Sequence, residues 1–460
     1  MKRKILSLII SLALALSLSA CGKNDSFPPE TETSNNSDAE RIAELEQELE
    51  ELRAENSDNK QTEKEAESIQ KEIELWTDDT IIAFTDEDML EKVREITGVN
   101  ERDITYGDVK NITEFECDSY FGYSDIAPLK YFTSLTNLSV KAQNNTNLDA
   151  LKYLKNLKLL KVEESGSLTS LSGLDNLTNL TELEVYMCDN LADISSLSNM
   201  SSLTNLHIWH CNSLMSINAH SLSNLISLEI EYCDSLTDIS AIGNMTNLTD
   251  LHIGDCGNLT DISAIGNLSN LTELRIYDCD SLIDISVLSN LTNLTELYLG
   301  GSNLTDISPL GNLMSLVSFG ISGCESLTDI GSLNNLSNLA KLSINSCNSL
   351  PDMSLLSNLP NLTSVSINEC DNLTDIGTIS NLPNLTSLGI HNCDNLVDIS
   401  AINNLPNLTS LSITYCDSLT DISPLENIIM NLTDVGIYNC ENIPYISSIS
   451  FLKEYLENNK

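Results

Sequence analysis

The chain has 460 residues, with 67 acidic against 23 basic side chains and a formal net charge of −44. Phosphate recognition needs concentrated positive charge, so this excess argues against a nucleic-acid partner and makes a neutral or basic partner electrostatically easier. A single globular core is outgrown at this length, whereas a core that lengthens by repetition is not.

Lys2, Arg3 and Lys4 form a basic start, Ile5 to Leu16 an apolar centre, and Leu18-Ser19-Ala20-Cys21 closes the segment. The apolar run is too short and too early for an ordinary membrane span, so residues 1–20 read as an export signal. The closing tetrapeptide resembles the lipobox of bacterial lipoproteins. That resemblance implies cleavage before Cys21, whose thiol would carry diacylglycerol and anchor the mature chain to the outer face of a bacterial membrane. Residues 21–38, with Pro28-Pro29 and many Ser, Thr, Asn and acidic side chains, have little to bury and read as a flexible tether.

Over 39–75 the composition changes to a helical stalk. Ile42, Leu45, Leu49 and Leu52 recur at alternating spacings of three and four, an a/d stripe among glutamates. Only about two heptads are convincing, so a short coiled coil that oligomerises and a solitary solvated helix both remain open. If wholly helical, Ala39 to Leu75 would reach about 55 Å. Residues 76–111 follow neither pattern. Asp86 to Glu95 has an acidic start and apolar Met89, Leu90 and Val93, which predicts a short amphipathic helix capped by Thr85 or Asp86 and stopped by Gly98, within an N-terminal cap. Residues 443–460, with Tyr445, Ile446, Ile449, Phe451, Leu452 and Leu456, predict a matching C-terminal cap.

Between the caps, over 112–442, one pattern dominates. LxxLxIxxC returns every 22 to 24 residues from Leu180 to Leu432, and a weaker form extends it upstream to Ile112, Leu135 and Leu157, making fifteen units. A unit of this size cannot bury its apolar face alone, so the units must stack into a solenoid. In Leu271-Thr272-Glu273-Leu274-Arg275-Ile276, alternation turns Leu274 and Ile276 inward and Arg275 outward, which is a short strand pairing in parallel with its equivalents. Asp284 to Leu291 must run back along the outer side, where there is room for extended or 3₁₀ segments only. Fifteen strands at about 4.8 Å give an inner sheet roughly 70 Å long.

The strand pattern followed by Asp-Ile-Ser-Pro-Leu-x-Asn-Leu, as in Asp306 to Leu313 and nearly so in Asp421 to Leu425, resembles the bacterial leucine-rich repeats of internalin-like surface proteins. The resemblance covers Ile112 to Cys440. It implies an α/β-type repeat solenoid, a curved horseshoe with a parallel inner sheet, and a binding role without a particular receptor. Internalin-like repeats mostly carry Asn where this chain carries Cys, and no cell-wall sorting signal follows the repeats, so anchoring would fall to Cys21.

Eleven cysteines (Cys188, Cys211, Cys233, Cys256, Cys279, Cys324, Cys347, Cys370, Cys393, Cys416 and Cys440) share one repeat position, where the ninth unit has Ser302. Stacked equivalents point the same way rather than at each other, and their number is odd. A ladder of buried thiols donating weakly to turn backbone is therefore expected ahead of disulfides or metal. A second column (Asp193, Asp238, Asp261, Asp284, Asp306, Asp329, Asp352, Asp375, Asp398, Asp421) is expected to cap the following turn through backbone N–H groups without an ion. A third (Asn199, Asn244, Asn267, Asn290, Asn312, Asn335, Asn358, Asn381, Asn404) is expected to satisfy turn backbone inside the stack. The Asn-Leu-Thr and Asn-Leu-Ser sequons are by-products of the repeat.

Function should then reside in the outward strand positions. The residue between the two core apolars runs Glu184, His207, Glu229, His252, Arg275, Tyr298 and then turns to Gly and Ser, while Tyr186, Trp209, His210, Tyr232, Tyr277 and Asp278 lie alongside the earlier part. Large rigid rings on a repeat face suit interface centres and sugar platforms. Scattered tolerated surface residues remain an equal alternative. His207, Glu229 and His252 on successive strands could hold zinc, but the imidazoles would be about 10 Å apart at Cα, and alternating acid and base is ordinary cross-strand pairing; no metal or cofactor is expected. No phosphate loop or nucleophile elbow occurs, so an enzyme is not expected. The leading expectation is a noncatalytic, lipid-anchored surface protein binding a protein partner through the concave face. Capture of a glycan or peptide, or a structural spacer, are the alternatives.

Overall fold

The computed structural model describes residues 64–459 except 220, 302 and 351–358. The export signal, Cys21, the tether and the stalk up to residue 63 lie outside the described residues. Chain contacts divide the protein into Met1–Thr77 and Asp78–Lys460. In the first unit a helix, α1, runs over 64–73 and closes in a turn in which the Trp76 N–H donates to the Ile73 carbonyl at 3.0 Å. Among the described residues no helix is long and apolar enough to cross a membrane.

The second unit begins with the expected amphipathic helix, α2 (Glu87–Thr97). Asp86 is the N-cap, accepting from the Met89 N–H at 2.8 Å, and Gly98 ends the helix in the left-handed conformation at φ 71°. Met89 and Val93 are fully buried against the first coils. A short helix not anticipated, α3 (Tyr106–Val109), follows behind a Thr105–Asp108 capping box.

Fifteen strands then run from β1 (Glu114–Glu116) to β15 (Asp434–Tyr438) in one curved sheet whose order is the sequence order and whose pairings are parallel. This matches the fifteen units of the repeat. The register keeps core positions on core positions: between β7 (Asp250–Gly254) and β8 (Glu273–Tyr277), Leu251 faces Leu274 and Ile253 faces Ile276. The return path is a five-residue 3₁₀ turn, Ser286–Asn290 in the coil of β8. There Leu271, Leu274, Ile276, Cys279, Leu282, Ile285, Leu288 and Leu291 are all at most 2% exposed. Each such side chain contributes about 1.5–3 kcal/mol relative to exposure, and no coil could supply this without neighbours above and below.

The polar columns close the backbone. Asp284 Oδ1 accepts from the Ser286 N–H at 2.8 Å, and Asp261 and Asp306 do the same for Ser263 and Ser308, so these carboxylates cap turns as expected. The Asn199 column behaves otherwise. Asn244, Asn267, Asn290, Asn312, Asn335, Asn381 and Asn404 end the 3₁₀ turns exposed and Asn199 is half-buried, so they are not inside the stack. The side-chain ladder between coils comes from a different asparagine three residues further on. Asn247, Asn270 and Asn293 donate to the Ser223, Thr246 and Ser269 carbonyls at 2.8, 2.9 and 2.8 Å. These carbonyls lie one coil earlier, beyond reach of backbone N–H groups in their own turn.

The described cysteines of the repeat are buried free thiols. The Cys279 thiol donates to the Tyr277 carbonyl at 3.4 Å, and the Cys416 N–H donates to Cys440 Sγ at 3.5 Å. A ladder sulfur can thus accept from one coil and donate within its own. Burial pushes Cys188, Cys233, Cys279 and Cys393 up to about 11. At the far end Ile446 pairs antiparallel with Ile437, and α4 (Ile449–Asn458) lays Leu452 and Leu456 over the last coil. Tyr445 and Phe451, read as part of that cap, stay exposed at 65% and 38%.

Candidate binding face on the inner sheet

Each strand carries its outward residues in rows along the sheet. Across β4 (Glu182–Tyr186), β5 (Asn205–Trp209), β6 (Ser227–Glu231), β7, β8 and β9 (Glu296–Gly300), the middle row is Glu184, His207, Glu229, His252, Arg275 and Tyr298. The strand-end row is Tyr186, Trp209, Glu231, Gly254 and Tyr277. A third row, one residue beyond, holds Met187, His210, Tyr232, Asp255 and Asp278, all in the left-handed backbone region at φ 50 to 54°. Asp255, Asp278 and His210 tolerate that conformation better than most side chains, whereas Met187 and Tyr232 do not signal it. It is imposed by stacking: the His210 N–H donates to the Glu231 carbonyl at 3.0 Å and the Tyr232 N–H to the Gly254 carbonyl at 3.1 Å, each continuing the ladder through the bend.

The structure brings the earlier candidates together as one packed surface. Tyr186 meets Trp209 edge-on at 6.1 Å and His210 edge-on at 5.6 Å; His207 meets Trp209 at 5.7 Å; and His210 stacks on Tyr232 at 4.4 Å with 7° between the rings. Tyr232, Arg275 and Asp278 are exposed, whereas Tyr186, His207, Trp209, His210, Glu229, His252, Tyr277 and Tyr298 are half-buried by one another. Trp209 Nε1 is buried without a hydrogen-bond partner among the described residues, a cost of about 1–3 kcal/mol at the centre of the patch.

The histidines do not converge. His207 Nδ1 pairs with Glu229 Oε2 at 2.9 Å, but His252 Nε2 turns to Glu273 Oε1 at 3.1 Å, which Arg275 also engages at 2.6 Å. The arrangement is cross-strand pairing of each imidazole with a carboxylate, with an Arg275–Glu273 ion pair inside β8, rather than a shared ligand set. Glu273 was not among the sequence candidates; neither were Glu231 and Asp255. The Tyr277 hydroxyl reaches back over Gly254 to donate to Glu231, two strands away. Burial first, then repulsion from Glu229 and Asp255, raises Glu231 above the usual carboxylate range despite that bond. Asp255 is raised by burial and by Asp278. Carboxylates crowded enough to disfavour their own charge form a field that a partner's cation would relieve.

Residues 117–262 and 195–300 match a family described as plant disease resistance protein RPS2-like leucine-rich repeats, and residues 276–396 and 345–458 match the BspA type leucine rich repeat region. The chain is a leucine-rich repeat protein. Among solved structures, this leucine-rich repeat protein is similar to an internalin (inlF) from Listeria monocytogenes, with 25% identity over 80% of this chain and 92% of that one and a TM-score of 0.51. It also shares its fold with the functional domain of InlJ from Listeria monocytogenes, at 21% identity over 76% and 79% of the two chains and a TM-score of 0.51. That domain includes a cysteine ladder. No curated protein matches this sequence significantly. The repeats are therefore internalin-like, and a scaffold of this kind supports an interaction or adhesion role.

Proposed function

We propose that this leucine-rich repeat protein is a noncatalytic bacterial surface protein, anchored by a lipid on Cys21, that binds a protein partner through the inner face of β4 to β9. The observation that carries the reading is the interlocked cluster Tyr186, Trp209, His207, His210 and Tyr232, set beside crowded Glu231, Asp255 and Asp278. Interface centres use rigid aromatic anchors because each orders few torsions for a large contact area. The carboxylates favour a partner with basic groups around its apolar centre, and the net charge of −44 would speed its encounter at low salt.

The test is capture of surface proteins by the chain from Gly22 onward with Cys21 removed, beside Trp209→Ala/Tyr277→Ala. A partner held by the native face should bind the double variant at least about thirtyfold more weakly, since two anchors of this kind supply roughly 2 kcal/mol or more. Equal capture by both would refute the placement on β4 to β9. Membrane retention of the full chain, lost in Cys21→Ser, tests the anchor.

A further inference from the structure

We propose a second binding site, a saccharide cleft at the N-terminal end of the solenoid in which Tyr120 and Phe121 form the platform for a neutral sugar ring. Tyr120 and Phe121 are 83% and 75% exposed, and their rings form a right-angled corner with centroids 5.1 Å apart and 89° between planes. Exposed rings on a loose loop would call for no explanation. This loop is fastened on both sides.

Ser119 Oγ donates to Asp88 at 3.1 Å, Lys92 pairs with Asp118 at 2.7 Å, and Ser124 donates through N–H and Oγ to Asp86 at 2.7 Å. Thr85 donates to Asp125. Beneath the rings Tyr123 is fully buried, and its backbone joins the strand ends through Tyr123 N–H to Lys141 O at 2.8 Å and Gln143 N–H to Tyr123 O at 3.1 Å. Gly122 sits at φ 71°, and a Cβ there would lie 2.7 Å from the Lys141 carbonyl oxygen, so only glycine permits the bend that lifts the two rings. Holding apolar rings rigidly in water has no benefit to folding, whereas a preorganised platform lowers the entropic cost of binding.

The rings border a cleft of about 440 Å³ whose remaining walls are Asp86, Ser124, Gln143, Asn144 and Glu164. That volume lies in the range of small-molecule sites. The wall chemistry separates ligand classes. Glu164 is already paired with Lys141 at 2.9 Å, and Asp86 is already held by hydrogen bonds from the Met89 N–H and from Ser124, so both carboxylates are engaged within the protein. Both retain lone pairs. Gln143 donates through Nε2 to the Glu164 carbonyl at 2.8 Å, which leaves its amide oxygen as an acceptor, and Asn144 adds an exposed amide. Aromatic faces beside neutral amides and engaged carboxylates suit a sugar ring, whose C–H face stacks on the aromatic and whose hydroxyls donate to the rim. The net charge of −44 disfavours acidic sugars at the same place.

The experiment uses the full chain on an array of neutral hexose and N-acetylhexosamine oligomers, uronic-acid oligomers and a decalysine peptide, with affinities then measured by calorimetry. At least one neutral oligomer should bind and the uronic-acid oligomers should not. Tyr120→Ala and Phe121→Ala should each weaken binding about tenfold or more with unchanged thermal unfolding, since both rings are exposed, and Trp209→Ala/Tyr277→Ala should leave it intact. The proposal is overturned if no neutral oligomer binds, or if binding survives both single-ring variants. It is equally overturned if decalysine alone is captured and Tyr120→Ala abolishes that, which would make the corner a cation cage. None of these outcomes bears on the protein partner of β4 to β9.

Discussion

Gly254→Ala should destabilise the protein, although alanine is ordinarily the better strand residue. A Cβ built on Gly254 falls 2.4 Å from Tyr277 Cζ and 2.5 Å from its Cε2, so the ring must swing away and release Glu231. A hydrogen bond to a charged group is worth about 1.5–3 kcal/mol when dry, and about 1 kcal/mol at this half-buried carboxylate. Displacing the ring loses roughly another 1 kcal/mol of apolar contact. Replacing glycine within a strand returns about 0.5–1 kcal/mol. The net expectation is a loss of about 1–1.5 kcal/mol in native background. In Tyr277→Ala background the clash is gone, and the same substitution should stabilise by about 0.5 kcal/mol. Equilibrium urea unfolding followed by tryptophan fluorescence reads both, with Trp209 in the same row two strands from Gly254. A stabilising effect in both backgrounds would refute the claim that Tyr277 is held down over Gly254.

Alkaline pH should weaken the fold through the cysteine ladder. Thiols ordinarily near 9.0 are pushed to about 11 at Cys188, Cys233, Cys279 and Cys393, so between those values the unfolded chain has released protons the native chain still holds. The contribution of these four thiols is whole below pH 9 and falls as pH rises towards 11. At pH 10 these four sites alone make the native state richer by about three protons, a slope measurable by urea unfolding across pH; a flat profile would contradict the buried ladder. The thiols should also resist an aromatic disulfide reagent until denaturant is added. At the left-handed row, Tyr415→Val should cost about 1–2 kcal/mol although the side chain is 51% exposed, because a β-branched residue tolerates φ 53° poorly, while Tyr415→Gly should be nearly neutral. Equal unfolding midpoints for the two variants would show that the row is not strained.

What could be read in advance follows from what repeats. Fifteen occurrences of the LxxLxI spacing define strand, core and register together, because a slip of one residue would turn Leu274 and Ile276 outward in every coil. The aspartate cap was legible since its partner is two residues away. The asparagine column misled for a related reason: asparagines recur at both the Asn244 and Asn247 positions in most coils, and only the path of the turn decides which faces the previous coil. The left-handed row was hard to read because Met187, His210, Tyr232 and Tyr415 share it with Asp255, Asp278, Gly323, Asn392 and Asn439, so no single residue type marks the position. Tyr120 and Phe121 fall in the first unit, where only the weak form of the repeat is present and nothing distinguishes an exposed ring from a core ring such as Tyr123 before the loop is built.

The glycines of the inner face show why its rings lie flat. Tyr277 is flanked by Gly254 and Gly300, where added Cβ atoms would meet the ring at 2.4 Å and Tyr277 Cβ at 3.1 Å, and Tyr298 lies across Gly320 with its Cδ2 2.5 Å from the corresponding Cβ position. A strand glycine is a poor choice for stability alone. Here each one creates the room into which a tyrosine from an adjoining strand settles, and the two rings meet edge-on at 6.2 Å. A ring laid against the sheet has lost its rotamer freedom before any partner arrives, so less entropy is surrendered on contact than by a ring standing in water. Gly254, Gly300 and Gly320 thus share in binding although none need touch the partner. Gly320→Ala should therefore weaken capture by the inner face several-fold by freeing Tyr298, and unchanged capture with Tyr298 displaced would limit the anchor set to β4 through β8.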